Sequence, residues 1–541
     1  MSRIAGAEGA LLEIEITDFS DMGQGIGRAG ADAGALAGLT VFVQGAFPGD
    51  RVLARITTAK KNFANAVAEQ VLRPSEYRDE SDVCPYAKVC GGCAYQGYSY
   101  AGQLRTKEKQ VRDKLERLAG LEEPRVRPVL GMERYGDAVA GAECREAAVR
   151  AGYRNKAEFA IGEKGEVGFL AGGSHRVFDC RECRLQLPPA MAAAEALREY
   201  IRQVKPSVYS RKAGKGLLRG LVVKTAPGTG EVMAIVVATA PELPGAELLA
   251  ELLDDAVYAL PEAPTGVKYS LESIIINVNK YKDSRTLGDK FVTLAGKNTI
   301  CEKSGNLTFE ISAPAFFQVN PEQMLKLYEK ALEYADLAPD STVFDLYCGV
   351  GTIGLFAADH MKKSELKENM VRAEEATGMV YGIESVKGAV LDANRNAVIN
   401  GIVNARYLCG AAEEEIFKLT EGYTDRFGEQ QLPVSPDVII LDPPRAGCDE
   451  KLLQAAASAA PKRIVYVSCE PGTLARDIKI LEGLGYRFAE ATPVDMFPNC
   501  AGIETCCLLE RLRNAKDHVT FTLDLEDYYR IKDAEADKEK R

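Results

Sequence analysis

The chain reads as an α/β protein in three parts: an OB-like antiparallel barrel, a β-rich middle and a doubly wound parallel sheet at the C-terminal end. Three observations carry that reading. Short apolar runs split by glycines crowd residues 11 to 73, strand-like patches dominate from Tyr153 to Ile311, and helix and strand patterns alternate beyond Pro321. At 541 residues the chain is too long for one core. The expected domains are 1–75, 76–311 and 312–513, followed by a tail, 514–541, whose mixed charge run Asp533-Ala-Glu-Ala-Asp-Lys-Glu-Lys-Arg541 predicts disorder.

Apolar residues make up 46% and charged residues 27%, as in ordinary globular proteins. No apolar run approaches the ~18 residues of a membrane span, so a cytoplasmic protein is expected, and a monomer. Fourteen cysteines in that compartment point to metal ligation or catalysis rather than disulfides. A net charge of -11 argues against indiscriminate binding to polyanions but leaves room for local basic surfaces. One candidate runs from Arg105 to Arg117, where Glu108, Asp113 and Glu116 interleave and an amphipathic helix fits equally. With only His175, His360 and His518 available, acid-base chemistry falls to a carboxylate.

In the N-terminal part, Leu11-Leu-Glu-Ile-Glu-Ile16 and Ala37-Gly-Leu-Thr-Val-Phe-Val43 read as strands, with turns at Gly23-Gln-Gly-Ile-Gly27 and Phe47-Pro-Gly-Asp50. OB-like barrels often bind nucleic acid, and Lys60-Lys-Asn-Phe63 adds charge beside an aromatic ring. Next come three thiols in Cys84-Pro-Tyr-Ala-Lys-Val-Cys90-Gly-Gly-Cys93 and a helix near 99–119. Sets of four cysteines bind zinc or an iron-sulfur cluster, and this spacing does not decide between them. Val222-Val-Lys-Thr and Ile274-Ile-Ile-Asn-Val-Asn279 mark strands of the middle part.

The chemistry concentrates in the last part. Val343-Phe-Asp-Leu-Tyr-Cys-Gly-Val-Gly-Thr-Ile-Gly-Leu355 joins a strand to a helix through a glycine loop, which lets backbone approach a ligand. Asp345 ahead of the glycines, the lack of a P-loop lysine and a second strand ending at Glu384 favour S-adenosylmethionine over a dinucleotide, with Glu384 on the ribose. A further strand ends in Asp442-Pro-Pro-Arg445 without the aromatic residue usual in amino-group methylases. Another, Ile464-Val-Tyr-Val-Ser-Cys469, is stopped by Pro471-Gly472 and delivers Cys469 to the same sheet edge. A thiol there can act as a covalent catalyst.

These motifs, with Phe316-Phe-Gln-Val-Asn320 and Asp495-Met-Phe-Pro498 followed by Glu504, resemble those of the RNA uracil-5 methyltransferases. The resemblance runs from about residue 11 to 513, and the barrel resembles the TRAM domain of RNA-modifying enzymes. It implies a class I (Rossmann-like) methyltransferase domain, a TRAM barrel and a central iron-sulfur and RNA-binding domain. It places the nucleophile on Cys469, the general base on Glu504, and S-adenosylmethionine contacts on Gln318, Tyr347, Glu384 and Asp442. It also implies a [4Fe-4S] cluster on Cys84, Cys90, Cys93 and Cys183, with Cys180 as a neighbour in Val177-Phe-Asp-Cys-Arg-Glu-Cys183 and the other cysteines, Cys348 apart, as packing residues. Relatives often carry histidine two residues before the glutamate, where this chain has Gly502.

Uracil C5 is a poor nucleophile, so thiolate attack on C6 must first make it enolate-like, after which a base removes the C5 proton and the thiol is expelled. Such a base contributes about 10²–10⁴ in rate. The target base must leave its stack, so structured RNA is the expected substrate, and neither DNA nor membrane is. The N-terminal barrel and the cysteine cluster favour ribosomal over transfer RNA. Two enzymatic alternatives fit less well. A 5-methylcytosine enzyme would carry a Pro-Cys where Asp442-Pro-Pro-Arg445 stands, and a radical enzyme a CxxxCxxC loop. A non-catalytic RNA-binding factor would have no need of Cys469 and Glu504.

Overall fold

The computed structural model describes residues 7–81, 83–132, 152–263, 265–369, 378–424 and 429–512, with backbone alone for 364–369. The expected tail 514–541 and Cys144 lie outside the described residues.

Five strands close the N-terminal barrel: β1 (Leu11–Phe19), β2 (Gly25–Arg28), β3 (Thr40–Gln44), β4 (Arg51–Ala59) and β5 (Phe63–Arg73), in the order β1-β2-β3-β5-β4. Alternation drives the closure, since Ile14, Ile16, Val41, Val43, Val52 and Ile56 all point inward. The barrel is not wholly antiparallel as expected: β3 and β5 pair in parallel because β4 returns the chain first. Lys60 Nζ lies 5.1 Å from the centre of the Phe63 ring.

Helix α1 (Tyr100–Lys114), N-capped by Ser99, continues as a π turn over Leu115–Ala119 and ends at Gly120 in the left-handed region. Its cations are not a free basic surface. Lys109 pairs with Asp18 at 2.6 Å and Lys114 with Asp21 at 2.8 Å, both on the barrel side, while Arg112 pairs with Glu108 along the helix at 3.0 Å. Lys107 is fully buried, with Nζ 2.5 Å from Asp495 and 2.9 Å from the Phe497 carbonyl.

The middle sheet has the order β12-β11-β10-β9-β6-β7-β8, from β6 (Lys156–Ile161), β7 (Val167–Leu170), β8 (Val177–Asp179), β9 (Leu218–Ala226), β10 (Glu231–Ala238), β11 (Ser270–Val278) and β12 (Lys290–Gly296). Two helices, α2 (Pro188–Val204) and α3 (Ala246–Tyr258), cover one face, so this part is α/β rather than β alone. The alanine-rich run from Pro188 explains α2, since alanine is the best helix former. On the other face Val222, Met233, Ile235 and Val237 share a core with the hairpin of β13 (Thr299–Ser304) and β14 (Leu307–Ser312) and with α4 (Pro321–Ala335). The expected boundary at 311 thus falls in a hairpin inside the core shared by the middle sheet and the C-terminal part.

The C-terminal sheet comprises β15 (Thr342–Leu346), β16 (Met379–Glu384), β17 (Ala405–Cys409), β20 (Val438–Leu441), β21 (Arg463–Ser468), β22 (Tyr486–Val494) and β23 (Glu504–Arg511); β18 (Tyr423–Thr424) and β19 (Gln430–Gln431) form a separate short ladder. Its order is β17-β16-β15-β20-β21-β23-β22, parallel from β17 to β21 and antiparallel at β23 and β22. On one face lie α4, α5 (Thr352–Asn369) and α6 (Lys387–Ile399). On the other lie α1, α7 (Ala412–Glu421), α8 (Glu450–Ser458) and α9 (Pro471–Gly483). Val126 and Leu130 run parallel beside Ala491 and Val494, covering the β22 edge. Among the described residues no helix is long and apolar enough to cross a membrane.

Breaking a buried pair strands a charge, so Lys107→Met should lower unfolding free energy by about 3–5 kcal/mol, and adding Asp495→Leu should restore most of it. Urea denaturation of the three proteins measures both.

Candidate active site

The parallel sheet delivers its loops to one edge. At the end of β15 the chain turns through Tyr347 (φ 63°) and Gly349 (φ 55°) into α5. Gly351 is required there, since a Cβ would stand 2.6 Å from the Tyr407 hydroxyl. Asp345 is buried and accepts a bond from Gly354 N at 2.9 Å, while its other oxygen has no partner. Burial, then the neighbouring Asp442, pushes its carboxyl up to about 8. At the tip of β16, Glu384 accepts from Gly349 N at 3.3 Å and Val386 N at 2.8 Å, which leaves its carboxylate facing the glycine loop.

Asp442 follows β20, and burial pushes it up to about 7. Gln318 is buried on the segment between β14 and α4, and that segment is held from the middle sheet. Asn155 donates to the Gln318 carbonyl at 2.9 Å, and the buried Lys224 ammonium donates to the Ser312 and Ala315 carbonyls at 2.9 and 2.7 Å. Phe316, between those anchors, is 67% exposed.

Cys469 leaves β21 just ahead of α9, and Glu504 opens β23. The two are brought together because β21 and β23 pair with Ser468 opposite Thr505. Burial and the Glu504 charge push the Cys469 thiol up to about 11, while Arg445 pulls it down. Glu504 is 3% exposed and one of its oxygens has no partner. Burial and Asp442 hold its carboxyl well above the usual range, again opposed by Arg445. Arg445, to which the sequence reading gave no role, is therefore the cation common to thiol and carboxyl. Its place in Asp442-Pro-Pro-Arg445 was the available signal.

The turn from Asp495 to Cys500 that leads to Glu504 is clamped from outside the C-terminal domain. Gln103 bonds Asn499 through both amide ends, at 2.9 and 3.2 Å, Tyr95 N donates to the Asn499 carbonyl at 3.0 Å, and Tyr153 donates to the Pro498 carbonyl at 3.0 Å. A Cβ at Gly502 would come within 3.1 Å of the Phe497 ring, a tight approach that suits glycine there.

The cysteine expectations fare differently. Cys84, Cys90, Cys93 and Cys183 gather where the 84–93 loop meets the exit of β8, with Cys180 buried beside them. Among the described residues, however, no three His, Cys, Asp or Glu side chains group so as to hold a metal ion, so the [4Fe-4S] ligand set is not shown. Cys500 is no mere packing residue: its free thiol donates to the Gly92 carbonyl at 3.1 Å, beside the free thiol of Cys93. Cys409 is not packed either, being exposed on the edge strand β17.

A doubly wound sheet that gathers a glycine loop, an acid at the next strand tip and an Asp-Pro-Pro turn at one edge defines a class I methyltransferase fold. The family model described as tRNA (Uracil-5-)-methyltransferase matches residues 296–512, and the TRAM domain model matches 7–68. An uncharacterized RNA methyltransferase of Caldanaerobacter subterraneus subsp. tengcongensis is 41% identical over 93% of this chain and 99% of its own length. One from Clostridium tetani is 39% identical over 90% and 94%. The solved structure of Pyrococcus abyssi tRNA (uracil-54, C5)-methyltransferase with S-adenosyl-L-homocysteine is 27% identical, with a TM-score of 0.66 over 92% of this chain and 99% of that one. The chain belongs to the uracil-5 RNA methyltransferase family, with a TRAM domain at its N-terminal end.

Two titrations follow. With its thiol held up, Cys469 should be alkylated slowly by iodoacetamide at neutral pH and about tenfold faster per pH unit up to pH 10, as thiolate accumulates. Glu504→Gln removes a raising charge and should speed that alkylation at alkaline pH. Peptide mass spectrometry resolves Cys469 from the other thiols. Separately, carboxyls with raised folded pKa bind more protons in the folded than in the unfolded state, so stability is full below their unfolded values and falls as pH rises through the folded ones. The ligand-free melting temperature should therefore decline from pH 5 to pH 8, and less so in Asp345→Asn.

Proposed function

We propose that the protein transfers a methyl group from S-adenosylmethionine to C5 of a uridine in RNA, with Cys469 as nucleophile and Glu504 as general base. The observation that supports it most is the meeting of that thiol and that carboxyl across the β21–β23 ladder, beside Asp442 and Arg445. S-adenosylmethionine, when bound, supplies an electrophilic methyl group on a cationic sulfonium. Gln318, Tyr347, Glu384 and Asp442 are the residues assigned to hold it. Asp345 shapes the glycine loop from beneath.

Cys469 attacks C6 as the thiolate. Its proton must leave first, and Arg445 is the cation that favours the charged form. The bond from the Cys469 sulfur to C6 places the electron pair on C5, which would take the methyl group as its bond to the sulfonium sulfur breaks, that electron pair staying on the sulfur as a neutral thioether. Glu504 then removes the C5 proton and the electron pair returns to expel the thiolate. For that step Glu504 must be ionised. In the ligand-free site burial and Asp442 oppose ionisation, and a cation bound against Asp442 relieves the opposition. No step uses the cysteine loop.

The RNA we assign first is 23S ribosomal RNA, on the N-terminal barrel and cysteine loop taken together. Transfer RNA, on which the Pyrococcus abyssi relative acts, is the alternative. Two measurements decide. Mapping 5-methyluridine in ribosomal and transfer RNA with and without the gene should show one ribosomal site losing its methyl group; an unchanged map sinks the reading. In vitro, Cys469→Ala should lose methylation by at least 10³-fold, while Glu504→Gln, unable to take the C5 proton, should accumulate an RNA adduct stable in denaturing gels.

A further inference from the structure

A groove of about 780 Å³ opens on the middle sheet. Its walls hold Lys164, Arg176, Arg211, Lys212, Arg219 and Arg285 against three acids, Glu158, Glu163 and Glu166, in a chain whose net charge is -11. Arg176, Arg211 and Lys212 are exposed and, among the described residues, form no ion pair. A second cationic patch, around Arg125, Arg127 and Arg487, differs in that respect: Glu490 and Glu510 neutralise it at 2.9 to 3.0 Å.

The groove also presents flat groups. The Arg219 guanidinium lies 4.2 Å from the centre of the Tyr209 ring and is fixed by bonds to the Asn279 and Tyr281 carbonyls at 3.0 and 2.7 Å. The Arg285 guanidinium, paired with Asp283 at 2.8 Å, lies 3.8 Å from the Tyr281 ring centre and contributes a plane rather than a free charge. Cations interleaved with aromatic and guanidinium planes suit a single-stranded nucleic acid, whose phosphates need charge and whose unstacked bases need a surface. An acidic peptide would use the charges and leave the planes idle.

Strand β6 joins this groove to the site. Asn155, immediately before β6, anchors the Gln318 carbonyl, and Glu158 on the same strand lines the groove. Three residues of strand span about 10 Å. The groove therefore starts within a few nucleotides of the segment bearing Phe316 and Gln318.

We propose that this groove is a docking track for single-stranded RNA flanking the target uridine, with Arg176, Arg211 and Lys212 on its phosphates. The proposal rests on the RNA reading above and deepens it. The test compares Arg211→Glu/Lys212→Glu with a control of equal charge change, Lys451→Glu/Lys479→Glu, in the full chain. Fluorescence anisotropy with labelled long oligouridylate is measured over a range of salt. The groove variant should bind at least about tenfold more weakly than the control, and the slope of log affinity against log salt should shrink by about 1.4, as two lost phosphate contacts on a single strand require. Arg176→Glu, on a different strand connection, should weaken binding in the same direction. Equal affinity and slope in groove variant and control would overturn the proposal. Wild-type protein is assayed in parallel for tritium release from RNA carrying 5-tritiated uridine: no release would sink uracil methylation, while the anisotropy result would still stand or fall by itself.

Discussion

The buried pair of Lys107 and Asp495 organises the molecule more than any other contact. Neither side chain reaches solvent, and the ammonium also holds the Phe497 carbonyl. Removing two charges from water is unfavourable unless both are closely satisfied. The pair therefore admits essentially one arrangement of α1 against the turn that leads to Glu504. Around it, Gln103, Tyr95 and Tyr153 bond the same turn, and Asn499 accepts a left-handed backbone at φ 66° that these bonds hold in place. The carboxyl assigned as base is thus positioned by residues from the far end of the sequence.

The second organising feature is an excess of acid. Asp442 lies close enough to Asp345 and Glu504 to raise both, and Arg445 is the cation acting on Cys469 and Glu504. Such a site is electrostatically incomplete when empty. A cationic ligand lowers the energy of every ionised carboxyl around it, so ligand binding and readiness of the base are coupled through one set of charges. Arg445 limits the same excess at the thiol, where added negative charge would suppress the nucleophile.

Much of this was legible in the sequence because its signals are local. The glycine loop, Glu384 at a strand tip, Asp442-Pro-Pro-Arg445 and the run into Cys469 each lie within one strand and its turn. The barrel strands showed through their alternation, although the parallel β3–β5 pair depends on where β4 returns and has no local mark. What escaped is long-range or compositional. Lys107 sat in an ordinary-looking charged helix, and its partner is 388 residues away. Asn155 and Lys224, which fix the Gln318 segment, bond backbone carbonyls and leave no motif. Helix α2 was lost in a stretch read as strands, and the exposure of Cys409 follows from β17 being an edge, which only the sheet order reveals.

The separation of Lys107 from Asp495 also sets the order of assembly during synthesis. At about 5–20 residues per second, the ribosome needs about 20–80 s to make the intervening 388 residues. The barrel has all its strands by Arg73 and can close early. Helix α1 cannot bury Lys107 until β22 and the turn after it emerge, so its ammonium stays hydrated and its apolar face, with Val111 and Leu115, waits uncovered. The nascent chain is therefore a finished barrel followed by an unfinished catalytic unit for most of its synthesis. That interval is when chaperone capture or misassembly has its opportunity.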